Sequence, residues 1–208
     1  MFISSVIINI YMHTQFILAS SSKSRLKILK QAGINFIQQK PLCDEDKIKK
    51  NLFFDKKSPG NYAKRLSLEK AISISVLEKN KDKIVMGCDT IIVYKNKIIQ
   101  KARNIKQAQH KIKMLSGNKH KIISAVTLCK NKKKIWQCQQ TTNVQMRKLN
   151  QIEISNYLEK AGKKILDSVG CYQIESLGPT IIENINGDFF NVMGLPLFKI
   201  LKYLFEQK

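Results

Sequence analysis

The sequence predicts an α/β protein built on an extended mixed β-sheet flanked by helices, and three observations carry that expectation. Short apolar runs of strand length alternate with stretches whose apolar residues recur at helical spacing. Two strand pairs are joined by tight polar turns, Lys95-Asn96 and Asn131 to Lys134, which call for antiparallel neighbours. The order of elements also lacks the regular strand, helix, strand rhythm of a purely parallel sheet. With 208 residues, 43% hydrophobic and 25% charged, the chain can bury one sizeable core or two closely packed lobes. No linker, repeat or low-complexity segment interrupts it.

Taken in order, Phe16 to Ala19 reads as a short buried strand that runs into Ser20-Ser21-Ser22-Lys23-Ser24-Arg25. Leu26 and Leu29 then mark a helix that Gly33 stops. Asn35 to Gln39 is a second strand, and Lys40 to Asp46 a loop holding Asp44, Glu45 and Asp46 side by side. That cluster suits a metal site and suits equally a solvated acidic turn. Ser58-Pro59 caps and starts a helix with Ala63, Leu66, Ile74 and Leu77 on its apolar face. Lys70 falls near one edge of that face, where a lysine is ordinarily solvated. Lys83 to Thr90 is an apolar strand ended by Asp89, followed at once by Ile91 to Tyr94; Lys97 to Lys101 returns as a hairpin partner. Asn104 with Gln107 resembles a capping box ahead of a helix face formed by Ile105, Ala108, Ile112 and Leu115. His120 to Leu128 and Ile135 to Val144 form a long hairpin, and Asn150 with Glu153 starts another helix. Val169 to Glu175 is expected as a strand together with Ile181 to Glu183, before the turn Asn186-Gly187-Asp188 and a final helix from about Leu195 to Phe205.

Lysine and arginine number 37 against 15 aspartates and glutamates, a formal charge of +22. Arg25, Arg65, Arg103 and Arg147 are the only arginines, so the charge is a diffuse lysine excess. Such an excess attracts nucleotides, nucleic acids and acidic membranes alike. Specific nucleic-acid readers gather arginine and stacking aromatics into a recognisable module, and none is present, so no specific nucleic-acid partner is expected. Five cysteines, odd in number and without a CxxC pair, indicate neither a disulfide framework nor a zinc site and fit a reducing compartment. Met1 to Met12 is apolar but too short to span a bilayer and has no basic lead or small-residue cleavage site, so no membrane association is expected. Residues 1–14 are expected as a disordered extension of a single domain over 15–208, with Met12 as a second possible translation start.

Two features carry chemistry. Asp89 is one of few acids and sits in an apolar strand, where it must be desolvated or well partnered. It is a candidate for catalysis, and also for the ordinary strand-end aspartate that bonds nearby amides. The strand, hydroxyl-rich turn and helix start at residues 18–25 make an anion site, because unpaired amides and the helix dipole favour phosphate and Arg25 offers a matching fork. Simple N-capping accounts for Ser22 or Ser24 but not for the whole cluster.

At these residues the chain resembles the Maf family of nucleoside triphosphate pyrophosphatases. The likeness runs in order through Leu18-Ala19-Ser20-Ser21-Ser22-Lys23-Ser24-Arg25, Leu68-Glu69-Lys70-Ala71, Gly87-Cys88-Asp89-Thr90, Lys101, Leu115-Ser116-Gly117, and the stretch from Gly187-Asp188-Phe189-Phe190-Asn191 to Gly194-Leu195-Pro196-Leu197. The resemblance implies a fold like that of inosine triphosphate pyrophosphatase, two lobes with a nucleotide cleft between them. It also implies a cytoplasmic enzyme, commonly a homodimer, that cleaves a nucleoside triphosphate between the α and β phosphates with Mg2+ or Mn2+. By the same resemblance Ser20, Ser22, Arg25, Lys70 and Lys101 contact phosphates, Asp89 is the catalytic acid, and Glu45 with Asp89 lies on the metal side.

Three departures follow. Lys23-Ser24-Arg25 stands where the family often has Pro-Arg-Arg, and Ala102 follows Lys101 where a proline is usual. The positions that separate subtypes fall on Ser24, Thr90 and Glu175: Arg, Thr, Gln resembles the thymidine and uridine type, and Trp, Gln, Glu the 7-methylguanosine type. This chain is mixed, which leaves the base open. A carboxylate at Glu175 suits the paired donors of guanine, whereas an amide there suits uracil or thymine. A second class of function, a non-enzymatic polyanion-binding regulator using the +22 charge, is the alternative to the enzyme.

Overall fold

The computed structural model describes residues 16–54 and 58–206, so the expected extension over residues 1–14 lies outside the described residues. The strands are β1 (Phe16–Ala19), β2 (Phe36–Gln39), β3 (Ile84–Tyr94), β4 (Lys97–Ile99), β5 (Lys119–Lys130), β6 (Lys133–Met146) and β7 (Ile182–Asn186). They form one seven-stranded sheet in the order β2-β1-β3-β5-β6-β7, with β4 paired to β3. β1 runs parallel to both β2 and β3, whereas β4 is antiparallel to β3 and β7 to β6. The sheet is therefore mixed, as the sequence predicts. The helices are α1 (Lys23–Gln31), α2 (Glu45–Phe54), α3 (Pro59–Ser75), α4 (Ile105–Leu115), α5 (Gln151–Ala161), α6 (Phe189–Val192) and α7 (Leu197–Glu206).

Local chemistry sets most boundaries. Ser22, Ser58, Asn104 and Asn150 each accept a backbone N–H of the first helical turn, and Pro59 occupies the start of α3 where its missing N–H costs nothing. Asn150 and Glu153 form a reciprocal capping box. The turns Lys95-Asn96 and Asn131-Lys132 take positive φ at both residues, the geometry that matches strand twist in a two-residue hairpin.

Contacts divide the described chain into two compact units. The first contains the described residues up to Asp89, Ser124–Gln139 and those from Gly194 onward; the second contains Thr90–Ile123 and Gln140–Met193. In the first, α3 lays Ala71 and Ile74 on Ile17 and Ala19 of β1, Val85 of β3 and Cys129 of β5. Val85, Gly87 and Asp89 alternate onto one face of β3. Gly87 is what lets α3 come so close: a Cβ there would stand 2.1 Å from the Ser67 carbonyl oxygen and 2.6 Å from the Ala71 nitrogen. In the second unit, α4 and α5 pack Ala108, Ile112, Leu115, Ile154 and Leu158 with Ile92, Ile122, Val144 and Met146. Its core also holds His120, whose Nε2 lies 2.6 Å from the Tyr172 hydroxyl; burial pulls the imidazole down to about 4, so the ring is neutral at pH 7.

Three expectations are corrected. Val169 to Glu175 is not a strand: Cys171 takes φ 57°, and the Gln173 carbonyl accepts from Ser176 and Gly178 in a turn, so the apolar residues there serve the core without a ladder. Asp89 does not end its strand, since β3 continues through it to Tyr94 and its second half pairs with β4. The acidic run is only partly loop, because Asp44 accepts from the Lys47 amide and Glu45 and Asp46 form the first turn of α2, where acids favour the helix dipole.

Candidate active site

β1 lies between β2 and β3, parallel to both, and the chain leaves it to build first one neighbour and then the other. Ligands of α/β sheets bind beyond the carboxyl ends of strands at such a switch point. Ser20 follows the last residue of β1, and its buried Oγ accepts from the Ser22 amide at 3.2 Å and from Arg25 Nη1 at 3.1 Å. Ser22 caps α1 by accepting the Arg25 amide at 3.4 Å. The turn's two hydroxyl oxygens are thus tied to the amides at the α1 amino terminus.

Arg25 is itself buried, which the sequence reading did not foresee. Its Nε donates to the Gly194 carbonyl at 2.8 Å, and Nη1 donates to the Cys88 carbonyl at 3.1 Å. These bonds tie the serine turn to β3 one residue before Asp89. The guanidinium therefore braces the turn and places a positive charge behind it.

The centre of the arrangement is an ammonium held by two carboxylates. Lys70, expected at a solvated helix edge, is 7% exposed because the close approach at Gly87 delivers α3 onto β3. Its Nζ donates to Asp89 Oδ1 at 2.7 Å and lies 3.1 Å from Glu45 Oε2. Burial alone would pull the Lys70 ammonium down, but the Asp89 and then the Glu45 charges outweigh it and hold the group above its ordinary value. Glu45 is opposed by its own partial burial, yet Lys70, with help from Lys49 at 3.5 Å, keeps its carboxyl below the usual range. Glu45 reaches this place because the Leu42 amide donates to Ser73 Oγ at 3.1 Å, strapping the loop before α2 onto α3.

Tyr62 of α3 is a neighbour that sequence reasoning missed. Its phenol is pushed up to about 12, first by burial and then by the charges of Asp89, Asp46 and Glu45, so it stays protonated beside the carboxylates. The apolar spacing of its helix carries no signal of that role. Ser24 is half-buried in the first turn of α1. The remaining expected residues belong to the second unit: Thr90 follows Asp89 on β3, Lys101 is exposed after β4, and Glu175 is half-buried in the turn at 174–177.

Asp89 and Glu45 are the carboxylates of the site that could hold a divalent cation. Asp89 and Glu45 converge on one cationic nitrogen, so two hard carboxylate oxygens already surround a positive charge. Among the described residues no group of three or more His, Cys, Asp or Glu is gathered for a dedicated cage. Mg2+ and Mn2+ commonly take one or two carboxylates and complete their shell with water and substrate phosphates. The five cysteines are free thiols, and no described helix is long and apolar enough to cross a membrane.

Known proteins resemble this chain along most of its length. A family model described as Maf-like protein matches residues 15–207. The chain is 34% identical over 191 residues to a nucleoside triphosphate pyrophosphatase of Caulobacter vibrioides, covering 92% of this chain and 94% of that protein. It is also 34% identical over 197 residues to a 7-methyl-GTP pyrophosphatase of Brucella abortus, with 95% and 98% covered. A 7-methyl-GTP pyrophosphatase of Bartonella quintana is 38% identical over 186 residues, with 89% and 91% covered.

Removing the ammonium leaves buried carboxylate charge behind, so Lys70→Met is expected to destabilise the protein by about 3–5 kcal/mol. Urea unfolding checks this against Lys81→Met, which deletes the exposed pair with Glu78 at 3.8 Å and should shift stability by about 0.5 kcal/mol or less. Equal, small losses in both variants would mean that the Lys70 ion pairs contribute little.

Proposed function

The chain belongs to the Maf family, and we propose that it is a hydrolase that cleaves a nucleoside triphosphate between the α and β phosphates, releasing a nucleoside monophosphate and pyrophosphate. The observation that carries this reading is the buried Asp89, Lys70 and Glu45 cluster beside the Ser20, Ser22 and α1 anion turn. A triphosphate needs donors and positive charge to bind, and a carboxylate to handle the attacking water. Both are present within the first unit.

The roles divide as follows. The α1 amides and the Ser20 and Ser22 hydroxyls receive phosphate oxygens, and the buried Arg25 charge favours the same anion. Two of the three N–H bonds of Lys70 are engaged by carboxylates, which leaves the third for a phosphate oxygen. By the family likeness, Lys101 adds a further phosphate contact. Asp89 takes a proton from water as the new P–O bond forms and the anhydride P–O bond breaks, and pyrophosphate leaves. Asp89 and Glu45 would hold Mg2+ or Mn2+, which when bound neutralises developing phosphate charge. A homodimer working in the cytoplasm, without a specific nucleic-acid partner, belongs to the same proposal and rests on the family likeness.

Relatives named for two substrate classes match this chain to similar degrees, and the proposal assigns the choice of base to Glu175, with Ser24 and Thr90. An ionised carboxylate only accepts, which favours the paired N–H donors of a guanine edge, as in 7-methyl-GTP.

Two variants test these assignments. Asp89→Asn keeps the side-chain shape but loses charge and basicity, so turnover should fall about a hundredfold or more in a folded protein. Near-normal pyrophosphate release by the purified variant would remove Asp89 from the reaction. Glu175→Gln should lower kcat/KM for guanine-type substrates relative to uridine and thymidine triphosphates, by several powers of ten at the upper end. An unchanged ratio would put base selection elsewhere.

A further inference from the structure

Lys111 occupies a place in α4 that its neighbours on the same face, Ala108, Ile112 and Leu115, fill with apolar side chains, and it is only 6% exposed. A buried ammonium is costly unless its donors are met. Here they are. Nζ donates to the Gln100 carbonyl and, at 2.9 Å, to the Val169 carbonyl, with the Cys171 side chain close enough to interact with the charge. The Cys171 side chain also lies near the Ala102 amide, so two groups sit between the same pair of segments.

Both segments are irregular and have no ladder of their own to hold them. Residues 100–102 present Lys101, and residues 169–171 open the stretch that leads to Glu175. The second segment is otherwise tightly determined. Cys171 is fully buried at φ 57°, a region that residues with side chains rarely occupy, and its carbonyl accepts from the Tyr157 hydroxyl at 3.2 Å. A Cβ at Gly170 would stand 2.6 Å from the Tyr172 ring and 2.8 Å from Ile92 Cδ1. The Lys101 charge is also felt at Lys111, adding to the downward push that burial exerts on that ammonium.

We propose that Lys111 is a positioning residue for nucleotide binding: its ammonium, with the Cys171 sulfur, locks the Lys101 segment to the segment leading to Glu175 and so sets the spacing between phosphate contact and base contact. The inference rests on the reading of Lys101 as a phosphate contact. An apolar residue would fill the same volume, but it could not bond two carbonyls on different segments at once.

The test is a double-mutant cycle read in kcat and KM for a nucleoside triphosphate, with thermal melts in parallel. Lys111→Met should raise KM about tenfold or more while changing kcat less, as expected when a contact is misplaced by a fraction of its length. Cys171→Ala, which removes only the sulfur, should give a smaller rise of the same kind and serves in place of Lys111→Met if that variant does not fold. In a Lys101→Ala background both effects should largely vanish, because the group they position is gone. A folded Lys111→Met with unaltered KM would overturn the proposal, as would losses that simply multiply with that of Lys101→Ala, the pattern of a purely structural role. An unaltered KM in Lys101→Ala alone would overturn the phosphate reading of Lys101 and this proposal with it, a result distinct from the other two.

Discussion

The contact between Lys70 and Asp89 depends on a backbone approach that only glycine allows. Gly87 admits the Ser67 carbonyl and the Ala71 amide into the space of a side chain, which presses α3 onto β3 and carries Lys70 onto the carboxylate two residues further along the same strand face. Desolvation would make either group costly alone; together, and with Glu45, they are stable as charges. The result is a buried carboxylate kept in a positively biased place beside the Ser20 and Ser22 turn. The bonds of Arg25 to Ser20 and to the Cys88 carbonyl join the turn to the same strand, so the two halves of this site share one support.

The overall charge acquires meaning in this light. A +22 chain repels itself and attracts any polyanion, but the lysine excess is diffuse, whereas the acids near Asp89 are placed. Of the 15 carboxylates, Asp89 and Glu45 are committed to one buried ammonium, and Asp44 caps α2. Long-range attraction of anions by the surface and the placed charges around Asp89 are therefore separate properties of separate residues.

What could be read from the sequence was what local chemistry decides. Ser58, Asn104 and Asn150 announce helix starts because a cap needs only its own first turn, whereas Ser22 and Ser24 are equal candidates by sequence, and Lys95-Asn96 announces a hairpin because the turn is complete in two residues. Ser20, Arg25, Lys70, Asp89 and Glu45 emerged as a set only from the order of their motifs. The errors lie where tertiary contacts overrule local pattern. Val169 to Glu175 alternates like a strand, yet the Lys111 and Tyr157 bonds to its backbone hold it in turns. Helical spacing placed Lys70 at a wet edge and could not register the missing Cβ of Gly87 across the sheet. Lys111, in the middle of an apolar stripe, gave no sign of its two carbonyl partners, which come from distant parts of the chain.

The central claim is that this site turns water on the α–β anhydride of a nucleoside triphosphate. Phosphorus NMR of the protein incubated with magnesium and, separately, uridine, thymidine, guanosine and 7-methylguanosine triphosphates tests it most directly. At least one of them should be converted to equal amounts of nucleoside monophosphate and pyrophosphate. Orthophosphate with nucleoside diphosphate, or four nucleotides left intact, would contradict it.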